Sequence, residues 1–225
     1  NLIIGGPSCK PFSASNRRKM AGDHQDVDLV NEYIRITKEN RPEVFVIENV
    51  PQFITCEHGR YMDRVMNGLG NTYEITSAIV RDTDVGGYTL RKRAILIGSR
   101  IGLIRLPDKV IHPIRTVREA LEKVNPEWFN YTDQTVSRPE TVKNMSYVRP
   151  ELRDNHNMHS DRYYRLDLNS PSPTIVNWRK LPLIHPTENR TLTVAEASAL
   201  MGFNKEFQFH GSLDSRQQQC GNGCT

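Results

Sequence analysis

Three short apolar runs rich in β-branched residues punctuate the first hundred positions: Leu2-Ile3-Ile4, Val44-Phe45-Val46-Ile47 and Ala94-Ile95-Leu96-Ile97. Unbroken apolarity, in place of strict alternation, predicts strands buried on both faces of a sheet. Between the first two runs, Asp26 to Asn40 carries Leu29, Val30, Tyr33, Ile34 and Ile36 at roughly helical spacing and stops at Arg41-Pro42. Strand, helix and strand in succession predict an α/β domain on a parallel sheet, with its working residues at the carboxyl ends of the strands. Cys9 follows the first run and Glu48-Asn49-Val50 the second, so both are expected on one rim.

From about Leu106 to Asn189 the pattern breaks into Pro, His, Asn and charged residues, with one capped helix at Thr116-Val117-Arg118-Glu119. This stretch is expected to form a separate, loop-rich lobe. Regularity returns at the capping box Thr193-Val194-Ala195-Glu196, whose helix is expected to stop near Gly202-Phe203. The chain opens on Asn1 inside a strand-like run and closes on Gly221 to Thr225 without a helix stop, which reads as the interior of a longer polypeptide.

Composition narrows the class. The 225 residues, 37% of them hydrophobic, suffice for one core or for a core plus a smaller lobe. A formal charge of +4 permits a polyanionic partner without requiring one. The four cysteines, Cys9, Cys56, Cys220 and Cys224, lack Cys-x-x-Cys pairing, which favours reduced thiols in a cytosolic compartment. No apolar run approaches the length of a membrane span, and no signal-peptide pattern opens the chain.

The chemistry-bearing residues are few. Cys9 sits in the turn Gly5-Gly6-Pro7-Ser8-Cys9-Lys10-Pro11-Phe12-Ser13, beside Lys10 and ahead of Arg17-Arg18-Lys19. A lone cysteine is usually a small buried apolar residue, but a polar turn rich in cations is where a thiolate is stabilised. Glu48 closes its strand, and partial burial there would raise its pKa and leave a proton to donate; an N-cap or an ion pair is the alternative. Arg91 and Arg93 alternate at the start of the third strand, so both guanidinium groups are expected on one side, holding a phosphate or base edge, or lying on a solvated edge. Cys56, His58, Cys220 and Cys224 could form a zinc module, but they lack a four-ligand spacing.

The order of these pieces resembles the DNA cytosine-5 methyltransferase family. It runs Gly-Gly-Pro-Ser-Cys, Val46-Ile47-Glu48-Asn49-Val50, Thr89-Leu90-Arg91-Lys92-Arg93, Arg190-Thr191-Leu192-Thr193 with Met201-Gly202-Phe203, and finally Gln219-Cys220-Gly221-Asn222. The resemblance covers the whole chain and implies a Rossmann-like S-adenosylmethionine-dependent α/β core, incomplete at the N-terminus, with a smaller inserted target-recognition lobe. The implied organisation is a core over 1–105, the lobe over 106–189 and a return to the core over 190–225. By this resemblance Cys9, Glu48, Arg91 and Arg93 are catalytic. Ser8, Leu29 and Asn222 contact S-adenosyl-L-methionine, while Ser13, Ser15, Arg17, Arg18 and Lys19 in the loop Ala14 to Asp26 and just before it meet DNA. The implied partner is double-stranded DNA, bound by a monomer in the cytoplasm of a bacterium or archaeon, or on behalf of a phage. A non-catalytic nucleic-acid-binding subunit or pseudoenzyme that keeps these motifs as scaffold is the rival reading. Ser8 and Lys10 replace the family's usual Pro and Gln around the nucleophile, and Thr89 stands where Gln is common. Glu196 is explained by its capping box and receives no catalytic role.

Overall fold

The structure is a computed structural model and describes residues 1–7, 25–55, 59–106, 113–150, 163–176 and 183–223, with backbone alone for 25–28. It divides into two compact units, Asn1–Arg81 with Lys92–Val110, and Asp82–Arg91 with Ile111–Thr225.

Unit 1 holds a four-stranded sheet of β1 (Leu2–Gly5), β2 (Val44–Asn49), β3 (Glu74–Arg81) and β4 (Lys92–Ser99), in the order β1-β2-β4-β3. Only β1 and β2 run parallel, Leu2 facing Val44 and Gly5 facing Ile47. β4 pairs antiparallel with both β2 and β3, so the wholly parallel sheet expected from the sequence is corrected to a mixed one. The reason lies in the connections. A parallel neighbour needs a crossover of a dozen or more residues, which helix α1 (Gln25–Asn40) supplies between β1 and β2, whereas residues 82–91 are a short return that suits an antiparallel pair. Nor are the runs buried on both faces. Along β2 each buried residue alternates with a half-buried one.

Helix α1 begins and ends where the pattern places it. Arg41 adopts φ 43°, breaking the helix one residue before Pro42, and its N–H still reaches the Thr37 carbonyl at 3.0 Å. The buried stripe is narrower than expected: Val30, Ile34 and Thr37 are enclosed, while Leu29 and Ile36 face solvent. Tyr33 ties α1 to the sheet, donating to the Val46 carbonyl at 2.9 Å and lying within 3.4 Å of the Ile3 carbonyl, and burial pushes its phenol up to about 12. Its ring lies against Gly5, where a Cβ would come within 2.5 Å of Cε2. Helices α2 (Gln52–Thr55) and α3 (Arg60–Leu69) complete the unit, with Tyr61, Val65 and Leu69 of α3 buried at i, i+4 and i+8. The Phe45 ring fills the centre of this core, edge-on to Tyr73 at 5.1 Å, and lies over Gly98 of β4.

Unit 2 gathers α4 (Val117–Leu121), α5 (Pro139–Met145), α6 (Val194–Leu200) and α7 (Leu213–Asn222) with a two-stranded parallel ribbon of β5 (Tyr164–Arg165) and β6 (Leu183–Ile184). Both sequence-predicted caps form. Thr116 accepts from the Glu119 N–H, and Thr193 and Glu196 bond reciprocally, to each other's backbone N–H, as a complete capping box. Past α6, Gly202 takes φ +78°, the left-handed stop expected there. Helix α7 was not expected: Ser212 caps its start, and Gly223 ends it. One apolar core runs through the unit, joining Val117 and Ala120 of α4 to Leu166, Ile175, Leu192, Leu200 and Cys220. No helix among the described residues is long and apolar enough to cross a membrane.

Candidate active site

In unit 1 two strand ends meet side by side. β1 closes at Gly5 and continues into Gly6 and Pro7, while β2 closes at Glu48 and Asn49, and their parallel pairing brings the two exits together. Asn49, 2% exposed, fastens the junction: its side-chain amide donates to the Pro7 carbonyl at 3.0 Å, and its amide oxygen accepts from the Val50 N–H.

Glu48 lies over this junction. A Cβ at Gly6 would stand 3.2 Å from its Oε2, so glycine there leaves room for the carboxyl group. Its other oxygen, Oε1, is held by the Nε of Arg93 at 2.5 Å. Register explains that pairing: Glu48 faces Ile95 across the β2–β4 ladder, and Arg93 is the diagonal neighbour two residues back on the same face. Arg93 also donates to the Lys92 carbonyl at 2.8 Å, so one arm of the fork is fixed by backbone and another edge by Glu48. Both side chains keep an exposed portion, 17% for Arg93 and 28% for Glu48, leaving the carboxyl accessible from outside. The pair can position a planar hydrogen-bonding ligand and exchange a proton with it.

Arg91 does not share that arrangement. It precedes β4, which begins at Lys92, and it belongs to unit 2, where it is 5% exposed and donates to the Ile175 carbonyl at 3.1 Å. Two arginines acting as one pair on a strand face are therefore corrected to an anchoring arginine in one unit and a carboxyl-gripping arginine in the other. The segment ahead of Arg91 is similarly fastened. Asp82 Oδ2 accepts from both the N–H and the hydroxyl of Thr89, at 2.9 and 2.7 Å, and packs so closely on Gly87 that a Cβ there would fall 1.9 Å from Oδ1.

Of the residues expected at a cofactor, Leu29 is 44% exposed on α1, and Asn222 is exposed at the end of α7, its Oδ1 accepting from Gln218 at 2.7 Å. Leu29 belongs to unit 1 and Asn222 to unit 2. Ser8, Cys9, Ser13, Ser15, Arg17, Arg18 and Lys19 lie outside the described residues, as do Cys56, His58 and Cys224. Cys220 is buried in the core of unit 2, and burial pushes its thiol up to about 12, which does not suit a metal ligand.

Gly6, Asn49, Asp82 and Thr89 had received no role from sequence. A glycine between Gly5 and Pro7 signals close approach. Asn49 donates to the distant Pro7 carbonyl, and Asp82 accepts from Thr89 across a turn; neither contact leaves a trace in spacing.

Around Arg190 a second cluster assembles. Its guanidinium forks onto both Glu196 oxygens at 2.8 and 2.7 Å and onto Glu188, holding Glu188 below the usual carboxylate range. His185 accepts at Nδ1 from the Thr187 and Glu188 N–H groups, and burial moves its pKa down. This cluster fixes the entry to α6, in keeping with a structural role for Glu196.

Across residues 1–225 the sequence matches the family model for C-5 cytosine-specific DNA methylase. It is 28% identical to the type II methyltransferase M1.HphI of Haemophilus parahaemolyticus over 99% of the chain and 64% of that protein. With M.SacI of Streptomyces achromogenes it shares 28% over 98% of the chain and 67% of the relative, so the chain spans about two thirds of the length of these proteins. M.HindV of Haemophilus influenzae is 30% identical over 99% of the chain and 70% of its own length. Among solved structures, an Escherichia coli prophage-encoded protein described as a DNA modification methyltransferase superposes with TM-score 0.77 at 23% identity, covering all of this chain and 74% of that one. The Dnmt2 methyltransferase of S. pombe superposes with TM-score 0.64 at 15% identity over 99% of this chain and 74% of the other, a likeness of fold. The chain belongs to the C-5 cytosine-specific DNA methylase family.

Proposed function

We propose that this chain carries the reaction centre of a DNA cytosine-5 methyltransferase that acts through a covalent cysteine adduct. The observation supporting this most strongly is the placement of Glu48, which lies over Gly6, three residues before Cys9, with its far oxygen held by Arg93. Cytosine C5 and C6 are enclosed within a stacked duplex, so the target base leaves the helix to react. The Cys9 thiolate adds to C6, and the C5–C6 electron pair moves toward C5 as Glu48 delivers a proton to N3. Arg93 keeps the Glu48 carboxyl aimed at that edge of the ring. S-adenosylmethionine, when bound, supplies an electrophilic methyl group, with Ser8, Leu29 and Asn222 among its contacts. Once C5 carries the methyl group, loss of the C5 proton, expulsion of Cys9 and return of the N3 proton to Glu48 restore the aromatic ring.

Residues 106–189 are assigned to target recognition, where a few side chains reading base edges set the methylated sequence, and the basic run Arg17-Arg18-Lys19 to phosphate contacts. Arg91, by contrast, acts as a positioning residue through the Ile175 carbonyl.

The direct test is duplex DNA in which the target cytosine is 5-fluorocytosine. With S-adenosylmethionine present, the whole protein is expected to form a denaturation-resistant adduct, because fluorine at C5 cannot leave as a proton does. Cys9→Ser is expected to form none and to keep DNA binding, since a hydroxyl of far higher pKa cannot replace the thiolate. Absence of an adduct with the unaltered protein would favour the non-catalytic reading.

A further inference from the structure

Unit 2 contains a cleft of about 570 Å³ whose lining includes three cations, Arg115, Lys123 and Lys205. Tyr88, itself buried, lines the cleft, with the Arg115 guanidinium 5.2 Å and the Lys123 ammonium 5.0 Å from its ring centroid. Both cations donate to the Tyr88 hydroxyl, Arg115 at 3.2 Å and Lys123 more closely. A phenol oxygen accepts on its lone pairs and donates one proton. With its lone pairs turned to two cations, Tyr88 presents its remaining O–H as a third donor.

Neither cation has a carboxylate within ion-pair distance among the described residues, whereas Lys205 on the same wall is matched to Glu127 at 3.0 Å. Two acids line the cleft, Asp82 and Glu206. Asp82 is engaged by Thr89 and pressed against Gly87, and Glu206 lies on the exposed segment beside Lys205. Two like charges on one oxygen repel, and an anion between them converts that repulsion into attraction. A guanidinium fork, an ammonium and a hydroxyl converging on one place match the oxygens of a phosphate.

We propose that this cleft is a phosphate site, and that its ligand is a phosphodiester of the DNA backbone. The assignment of DNA as the source rests on the function proposed above; the phosphate chemistry rests on the cleft itself.

Arg115 and Lys123 are both exposed, so Arg115→Gln with Lys123→Gln tests the site at little risk to folding. The affinity of the whole protein for a duplex is measured over a range of salt. Losing one phosphate contact is expected to lower the slope of log Kd against log salt by about 1. An unchanged slope overturns the DNA assignment. Thermal melting is followed in chloride and in inorganic phosphate at equal ionic strength. Phosphate is expected to raise the melting temperature of the unaltered protein and not of the variant. In chloride the variant is expected to melt no lower than the parent, since a repulsion has been removed. A variant that melts lower in chloride with an unchanged salt slope marks a structural pairing and overturns the site. Stabilisation by phosphate with an unchanged slope assigns the cleft to free phosphate and overturns DNA as its source. Formation of the 5-fluorocytosine adduct is scored separately, so this inference and the catalytic reading can fail independently.

Discussion

In the mechanism proposed above the chemistry turns on Glu48, and its surroundings make a sharp expectation. Glu48→Gln keeps the shape of the side chain and its contact with Arg93 but has no proton to give, so methyl transfer is expected to fall about 10²- to 10⁴-fold, the range for loss of a general acid. Single-turnover methylation with DNA binding measured alongside checks it; a fall of less than tenfold would remove Glu48 from proton transfer. A second residue, Gly98, carries no chemistry and yet is fixed by geometry. The Phe45 ring occupies the place of its missing side chain, a Cβ there falling 2.0 Å from Cε1. Gly98→Ala is expected to cost about 1–3 kcal/mol as overpacking, read from urea denaturation, and Phe45→Leu in the same chain is expected to recover part of it. What sequence conveyed at this scale was the place of Glu48 near the end of its strand and an ion pair as one of its two readings. It could not convey that Arg91 and Arg93 part company, because alternation holds only inside a strand and Arg91 lies one residue outside β4.

Among elements, those whose ends carry their own chemistry were legible. α1 stops at Arg41-Pro42, and α4 and α6 start at Thr116 and Thr193, because proline geometry and side-chain caps act within a few residues. β3 and α7 escaped notice. β3 is an edge strand with exposed Ile79 and a polar centre at Thr76-Ser77, and α7 is poor in apolar residues, held by Gln217 and Cys220. The entry to α6 has a pH signature of its own. Burial lowers the pKa of His185, while Glu196 and Glu188 raise it and Arg190 and Arg165 lower it. The folded chain therefore holds fewer protons at His185 than the unfolded chain does below its ordinary value of 6.5. Stability from this group is present above that value and is lost as pH falls through it. Replacing His185 by Gln is expected to flatten the loss of unfolding free energy between pH 7.5 and about 5; an unchanged slope would assign the loss to other groups.

For the whole molecule, composition and motif order reached the family, and the family reached the α/β class. The sheet's direction was beyond them, since apolar runs look alike in parallel and antiparallel strands and only the lengths of the connections separate the two. The division of the chain is open to a functional test. Exchanging residues 106–189 for the equivalent segment of a relative such as M.HindV is expected to change the sequence methylated and leave cytosine C5 as the atom modified. Bisulfite mapping of DNA treated with the hybrid reads this directly, and an unchanged target would place recognition in another segment.

The Tyr33 phenol, seated against Gly5 and bonded to the Val46 carbonyl, has a kinetic consequence. Helix α1 cannot lift from β1 and β2 without breaking a half-buried hydrogen bond and uncovering the glycine beneath the ring. These three elements should thus open together in native-state hydrogen exchange, their slowest amides sharing one opening free energy. Tyr33→Phe keeps the ring and removes the bond, and should speed exchange in all three at once. The junction that leads toward Cys9 would then inherit its rigidity from a helix to which the proposed reaction assigns no proton or bond to move.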